Sequence, residues 1–362
     1  MLEEVAAPAN LKAAWLHVRG KRAAPGVDGV SVAAYDRDAS RHLGSLRRDM
    51  LAQRYRPHPA RVLTIPKRVS GRRQIAILTV HDRVAQRATL QVLETWLERV
   101  FEPSSYAYRP GRSVNQAIYQ IERWRDEGYR WVVDADIEEC FDSLDHALLM
   151  RFVAAVVPDA RVCNLMRMWI EMAVLAGLDL RFPTVGVLQG GVVSPALCNL
   201  YLDQLDKALR KAGHKLVRYA DDFLILCRTR ARAESAKQQA AEILANMNLR
   251  LSVRKTQVVN FDRGFKYLGT LFVCNMALPS ERTLVATPDG GTRVVYTSGY
   301  PSPPKPSAPV RLTPQERRLR DLQRIAAREH AGGHITSVGA ALLEAERGRT
   351  RRAGPEAVWF GD

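Results

Sequence analysis

Apolar and polar positions along this chain change period several times, and the changes mark out its elements. "ARVLTIPKRVSGRRQIAILTV" (Ala60 to Val80) reads as two strands around a turn at Gly71, with basic residues at the hairpin tip. From His81 to about Phe101 the spacing becomes helical, with apolar positions at Val84, Ala88, Val92, Leu93 and Leu97. Before it, "PGVDGVS" (Pro25 to Ser31) is turn chemistry and "SLRRDMLAQRY" has helical spacing. "SYAYRPGRS" is a loop, in which Ser113 is placed to cap the helix "VNQAIYQIERWRDEG". "RWVVDADIEECFDSLDH" (Arg130 to His146) begins as a buried strand whose acids lie at and beyond its end, and helical stretches follow from Asp145 to Val157 and from Ala160 to Leu175. "VGVLQGGVVSPALCNLYLDQLDKALRKAG" is a Gly-rich turn running into an amphipathic helix, and "LVRYADDFLILC" (Leu216 to Cys227) is a strand, a tight turn and a strand. "RARAESAKQQAAEILANMNLRLS" is helical and "GFKYLGTLFV" is one more strand or hairpin. This succession predicts an α+β sheet covered by helices on one face. After about Leu278 the chain turns rich in Pro, Gly, Ser and Thr, the composition of a linker or loose insertion, and two basic helices are expected beyond Leu312.

Composition confirms a globular chain: 46% hydrophobic and 25% charged residues over 362 positions exclude a disordered one. No apolar run approaches the roughly eighteen residues of a membrane span, and "MLEEVAAPAN" lacks the order of a signal peptide, so a cytoplasmic location without membrane contact is expected. The five cysteines form no CxxC pair, which argues against a zinc ribbon, a zinc nuclease module and a disulfide framework. The charge is less ordinary. A net +16 suggests a polyanionic partner, and between Arg47 and Arg87 eleven basic residues face only Asp49 and Asp82.

Asp221 and Asp222 stand between two apolar runs, where burial and mutual repulsion both cost free energy. A hairpin turn whose acids face water is one explanation. Asp134 and Asp136, however, end another apolar strand about eighty-five residues earlier, so two strands of one sheet can bring carboxylates together. Divalent cations would neutralise them: Mg²⁺ favours one or two carboxylates plus substrate phosphates, and two such ions would activate a primer 3′-hydroxyl and stabilise departing pyrophosphate. Lys67 and Arg73 flank the hairpin tip, either as contacts to phosphoryl oxygens or as surface charges. In "QGGVVSP" (Gln189 to Pro195), Gly190 and Gly191 let the backbone approach a ligand and Gln189 offers an amide; a plain helix-start turn is the other reading.

With "YADD", "DADIEECFD", "QGGVVSP", "IPKRVSGRR", "SYAYRPGRS", "VRKT" and "FKYLGTLF" in this order, the chain from roughly Pro25 to Val273 resembles a reverse transcriptase of the bacterial group II intron lineage. The resemblance implies a right-hand polymerase. Its parts would be an N-terminal extension (1–24), fingers (25–130, with a helical part at 145–185) and a palm of antiparallel sheet backed by helices (131–278). A linker (279–310) and a reduced helical thumb with a basic tail (311–362) would complete it. It implies metal binding by Asp136, the Ile137 carbonyl, Asp221 and Asp222, with two Mg²⁺ ions and Mn²⁺ as a substitute. It gives Lys255 a part in pyrophosphate departure, Lys67 and Arg73 contacts to the triphosphate, and Gln189 and Gly190 contacts to the incoming nucleotide. Phe141 would exclude a 2′-hydroxyl. Tyr106, Arg109 and Arg112 would line the template path, and Phe265 to Gly269, with Lys266, Tyr267 and Gly269, would grip the primer.

The expected activity is RNA-directed DNA synthesis from an RNA template, a DNA or RNA primer and dNTPs. Alternatives on the same chain are a template-independent or RNA-synthesising nucleotidyltransferase and an RNA-binding maturase-like module without polymerase activity. Departures from the family pattern are Glu138 and Glu139 for Lys-Gly, Leu188 for Pro, Ala107 and Tyr108 for Gly-Phe, and Arg73, Gln74, Ile75 for Arg-Pro-Leu. The lack of an aromatic-rich maturase pattern and of a Cys-rich endonuclease suggests a free-standing relative in phage defence, CRISPR spacer acquisition or repair, with a structured non-coding RNA or defence or CRISPR proteins as partners.

Overall fold

A four-stranded antiparallel sheet forms the centre of the computed structural model, which describes residues 1–21, 23–66 and 72–279 and the strand backbones Arg282–Ala286 and Thr292–Tyr296. The strands lie in the order Lys215–Tyr219, Asp222–Cys227, Trp131–Asp136, Gln257–Asn260. In the inner two, Trp131–Val133 and Phe223–Cys227 are apolar without alternation because both faces of the sheet are covered there. Val133, Ala135, Phe223 and Ile225 belong to the core formed with the helices Ser194–Lys211 and Arg230–Asn246. Val132, Leu224 and Leu226 point the other way, packing with Ile121 of the helix Val114–Asp126 and with Phe261, Phe265 and Phe272.

The expectation of one covered face is thereby corrected. The second cover combines the Val114–Asp126 helix, closed by a Ser113/Gln116 capping box, with a small sheet of Phe265–Tyr267, Thr270–Val273 and Met276–Pro279. Strands of three or four residues are too short to display a period, so the sequence could not show that they build a layer.

A second sheet runs in the order Arg72–Ile77, Ala60–Pro66, Val174–Ala176, Asp179–Arg181. The helix expected to continue through Leu175 stops at Ile170, and its apolar continuation becomes a hairpin turned at Gly177, where φ is 67°. Parallel pairing of Ala60 with Val174 decides the matter, a tertiary contact that local spacing cannot reveal. The helix Val80–Glu98 starts at Thr79, whose side chain caps it. Asp82, fully buried in its first turn, accepts from the Tyr55 hydroxyl (2.6 Å), the Thr79 hydroxyl (2.6 Å) and the His58 backbone N–H (3.1 Å). Those bonds offset the desolvation of the charge.

The segment read as a loose linker carries an antiparallel hairpin, Arg282–Ala286 with Thr292–Tyr296. Its Pro and Gly content hid two β-branched runs. The chain divides into Met1–Gly299 and Tyr300–Asp362, and every described residue lies in the first unit, so the expected helices over 311–362 fall outside the description. Among the described residues no helix is long and apolar enough to cross a membrane.

Asp82→Ala leaves two buried hydroxyls without an acceptor. It is expected to destabilise the protein by about 3 kcal/mol or more. A thermal melt would show this as a fall of at least about 5 °C.

Candidate active site

Asp136 closes the strand Trp131–Asp136 and lies directly opposite Asp222, the first residue of Asp222–Cys227. Directly opposed residues in an antiparallel pair have Cβ atoms about 5 Å apart on one face. Two carboxylates far apart in sequence thus meet through strand register. Asp134, opposite Leu224, shares that face by its spacing of two from Asp136. Asp221 lies in the tight turn that returns the chain from Tyr219 to Asp222. Ala220 beside it adopts φ 60°, a left-handed conformation that favours glycine.

A buried cation braces this turn. Arg218 and Asp206 are both fully buried; Arg218 Nε and Nη2 donate to the Asp206 carboxylate at 2.8 and 2.6 Å. Arg218 Nη1 donates to Asn199 Oδ1 and to the Ala220 carbonyl, each at 2.9 Å. Asn199 and Asp206, seven residues apart on the helix Ser194–Lys211, present one face to it.

The carboxylates are electrostatically frustrated. Burial, then the charges of Asp134, Asp136 and Asp221, push Asp222 up to about 8. Burial, and after it the charge of Asp136, raises Asp221; burial likewise raises Asp134, whose carboxylate accepts from Gln257 Nε2 at 3.1 Å. Lys255 relieves part of the excess: its Nζ lies 2.9 Å from both Asp136 oxygens, and this bond raises the ammonium above its ordinary value. Among the described residues no three His, Cys, Asp or Glu side chains already form a cage for an ion, since Asp136 is turned onto Lys255. The donor set nonetheless suits a hard cation. All its ligands are oxygens, an ammonium already lies on one of them, and Mg²⁺ needs only one or two carboxylates beside phosphates and water.

A second wall stands next to the carboxylates. Glu139, at φ 43°, leads into the short helix Cys140–Ser143, which carries half-buried Phe141. The Phe141 carbonyl accepts from Val187 N and the Leu144 carbonyl from Gly186 N, each at 2.7 Å, and His146 Nε2 lies 2.6 Å from the Gly186 carbonyl. Gln189 follows; its Nε2 donates to Asp142 Oδ2 at 3.2 Å and its carbonyl accepts from Ala76 N at 2.7 Å. Gly190 (φ 110°) passes so near the second sheet that a Cβ would fall 2.3 Å from the Ala76 carbonyl oxygen. Gln86 Oε1 accepts from Val192 N and Val193 N at 2.8 and 3.3 Å. The Gly-rich turn is therefore fastened to both sheets' supporting elements, more than a helix start requires.

The other expected site residues divide. Tyr106 is buried in the second core, and buried Arg109 spends its guanidinium on Glu98 (2.9 and 2.8 Å) and on the Glu102 and Ser105 carbonyls (2.7 and 2.8 Å). Both shape, from within, the segment expected to line the template path. Arg112 lies over the Tyr106 ring, and Tyr108, at φ 56°, is the exposed aromatic of the segment. Lys266 is exposed, whereas Tyr267 is buried and donates its hydroxyl to the Asp222 carbonyl at 3.0 Å, and Gly269 (φ 70°) lies in the turn between Phe265–Tyr267 and Thr270–Val273. Tyr267, expected in the primer grip, thus also supports the carboxylate strand. Lys67 lies outside the described residues, and Arg73 is placed by its backbone register opposite Ile65. Arg218, Asn199 and Asp206 were not foreseen, although an arginine inside an apolar strand was a visible signal.

The family described as Reverse transcriptase (RNA-dependent DNA polymerase) matches residues 65–272. Protein YkfC of Escherichia coli (strain K12) is 30% identical over 302 residues, covering 73% of this chain and 79% of that protein. Group II intron-encoded protein LtrA of Lactococcus lactis subsp. cremoris is 36% identical over 154 residues, 42% of this chain and 26% of LtrA. Among solved structures, telomerase from Candida albicans in complex with a TWJ fragment of telomeric RNA has a TM-score of 0.51 at 15% identity, covering 76% of this chain and 51% of that one, a likeness of fold alone.

Gly190→Ala is expected to displace the turn from Ala76 and lower the melting temperature by about 2 °C or more, as calorimetry would show. A carboxyl raised in the folded state binds its proton more tightly there, so stability is lost as pH climbs from the ordinary carboxylate range through about 8. In chelator, Asp222→Asn should therefore melt with the wild type near roughly pH 4. By roughly pH 8.5 it should melt about 2 °C or more above it.

Proposed function

The chain belongs to the reverse transcriptase family, and we propose that it is an RNA-directed DNA polymerase that extends a primer with deoxynucleotides at Asp136, Asp221 and Asp222. The observation that carries this reading is the register that sets Asp136 opposite Asp222 at the end of a doubly covered sheet. Divalent cations held there by the three carboxylates and the Ile137 carbonyl would supply charge neutralisation at the attacking hydroxyl and the departing pyrophosphate.

The remaining tasks fall to residues around them. The Lys255 ammonium, 2.9 Å from Asp136, is close enough to bring positive charge to a leaving pyrophosphate. The Phe141 ring, beside the Gln189 turn, crowds the place of a sugar 2′-hydroxyl and so favours deoxynucleotides. Gln189 and Gly190 present an amide and a bare backbone to the nucleotide. The bond of the Gln189 carbonyl to Ala76 ties this turn to the strand of Arg73, which with Lys67 is assigned to the triphosphate. A net charge of +16 suits an RNA template and a DNA or RNA primer. The host role in phage defence, spacer acquisition or repair, with a structured RNA or defence proteins, is part of the same proposal.

Primer extension on an RNA template with dNTPs and Mg²⁺ tests it. Asp221→Ala/Asp222→Ala should lower the rate by roughly a thousandfold or more. Extension that survives in the double variant, or tight RNA binding with no extension by the wild type, overturns the reading. Phe141→Ala should retain activity and raise ribonucleotide incorporation by about tenfold or more.

A further inference from the structure

Three consecutive carbonyls of the carboxylate hairpin are each held by a different element. Ala220 accepts from Arg218 Nη1 at 2.9 Å, Asp221 from Ile137 N at 3.4 Å and Asp222 from the Tyr267 hydroxyl at 3.0 Å. The Ala220 carbonyl belongs to the peptide that enters Asp221, so its orientation sets where that carboxylate points. It is also the carbonyl of the residue at φ 60°, a conformation an alanine does not keep unaided.

Stability alone does not account for a cation at this place. Arg218 and Asp206 are both fully buried, and an apolar pair of similar volume generally folds as well as a buried ion pair. What an apolar pair cannot do is bond several acceptors at fixed angles, which a planar guanidinium does. The same residue reaches further: Arg218 N donates to the Ser104 carbonyl (2.8 Å), Tyr106 N to the Arg218 carbonyl (2.9 Å), and Asn199 Nδ2 to the Ala107 carbonyl (2.7 Å). The Arg218 side chain thus joins the helix Ser194–Lys211 to the carboxylate hairpin, while its backbone and Asn199 tie both to the 104–107 segment.

We propose that Arg218 is a positioning residue, which holds the strained Ala220–Asp221 peptide so that Asp221 and Asp222 are set to bind a divalent cation. The proposal rests on the polymerase reading for its role in synthesis, while the cation-binding part stands without it.

The test compares full-length variants by the Mg²⁺-dependent rise in Tm, by Mg²⁺ calorimetry and by primer extension. Arg218→Met/Asp206→Leu removes both charges together, so no unpaired ion is left buried. It is expected to melt cooperatively, yet to need about tenfold more Mg²⁺ for half of the Tm shift and of the rate. The kcat should fall while the KM for dNTP stays within about twofold of wild type. Arg218→Lys should behave alike, because a compact ammonium cannot span the same acceptors. Adding Ala220→Gly to the double variant should recover part of the Mg²⁺ response, since glycine adopts the turn without a brace. Leu209→Ala, a cavity in the same helix, should lower Tm and leave the Mg²⁺ midpoint unchanged.

A wild-type Mg²⁺ response in the double variant, no recovery with Ala220→Gly, or an equal shift in Leu209→Ala overturns the proposal. So does failure of the double variant to fold, which would assign the pair to stability. A wild type that responds to Mg²⁺ but extends no primer sinks the polymerase reading and leaves this one standing.

Discussion

The antiparallel register between Trp131–Asp136 and Asp222–Cys227 is the constraint on which the rest depends. Because both faces of the sheet are packed, slipping one strand by a single residue would send Phe223 and Ile225 toward one core and Leu224 and Leu226 toward the other. No such slip is tolerable with interiors filled to crystal-like density. Burial thus fixes, on both sides at once, which residues face each other at the sheet end. The repulsion between Asp136 and Asp222 is a local cost imposed by a much larger body of packing.

The neighbourhood of that sheet end is built by the same means. The turn from Gly186 to Val193 is held by backbone bonds to the Phe141 helix and to Ala76, and by the Gln86 side chain from the helix Val80–Glu98. Two sheets that share one core are joined again through this turn. A polar turn with so many fixed backbone groups has little freedom to adapt, which suits recognition by shape.

Much of this was legible beforehand where local pattern and tertiary packing agree. The helix after Ser113, the pairing of Ala60–Pro66 with Arg72–Ile77 and the paired strands around Asp221 all carry strong local signals, and the structure contains them. The carboxylate cluster was legible because charges at the ends of apolar strands are costly and so call for a cause. What stayed hidden depended on long-range contacts. Leu175 reads equally as helix or strand until Ala60 pairs beside it, and Phe272 gives no hint that it covers a sheet. Tyr106 and Arg109 look like surface residues of a basic loop, yet both are buried, Arg109 against Glu98 and the Glu102 and Ser105 carbonyls. Residue type suggested the outer surface, and only the hydrogen-bond partners show an inner one.

The thiols add a practical handle. Cys140 and Cys198 are buried with their sulfurs 3.8 Å apart, one in the Phe141 helix and the other on the helix Ser194–Lys211 whose Asn199 and Asp206 hold Arg218, and their contact and burial raise the Cys140 thiol. Cys274 is exposed. An alkylating reagent should consume Cys274 at once and reach the inner pair only when the chain opens locally, because the thiolate is the reactive form. With Cys163 and Cys227 replaced by serine, the slow labelling phase serves as a clock for breathing at the carboxylate end of the sheet, read without any substrate.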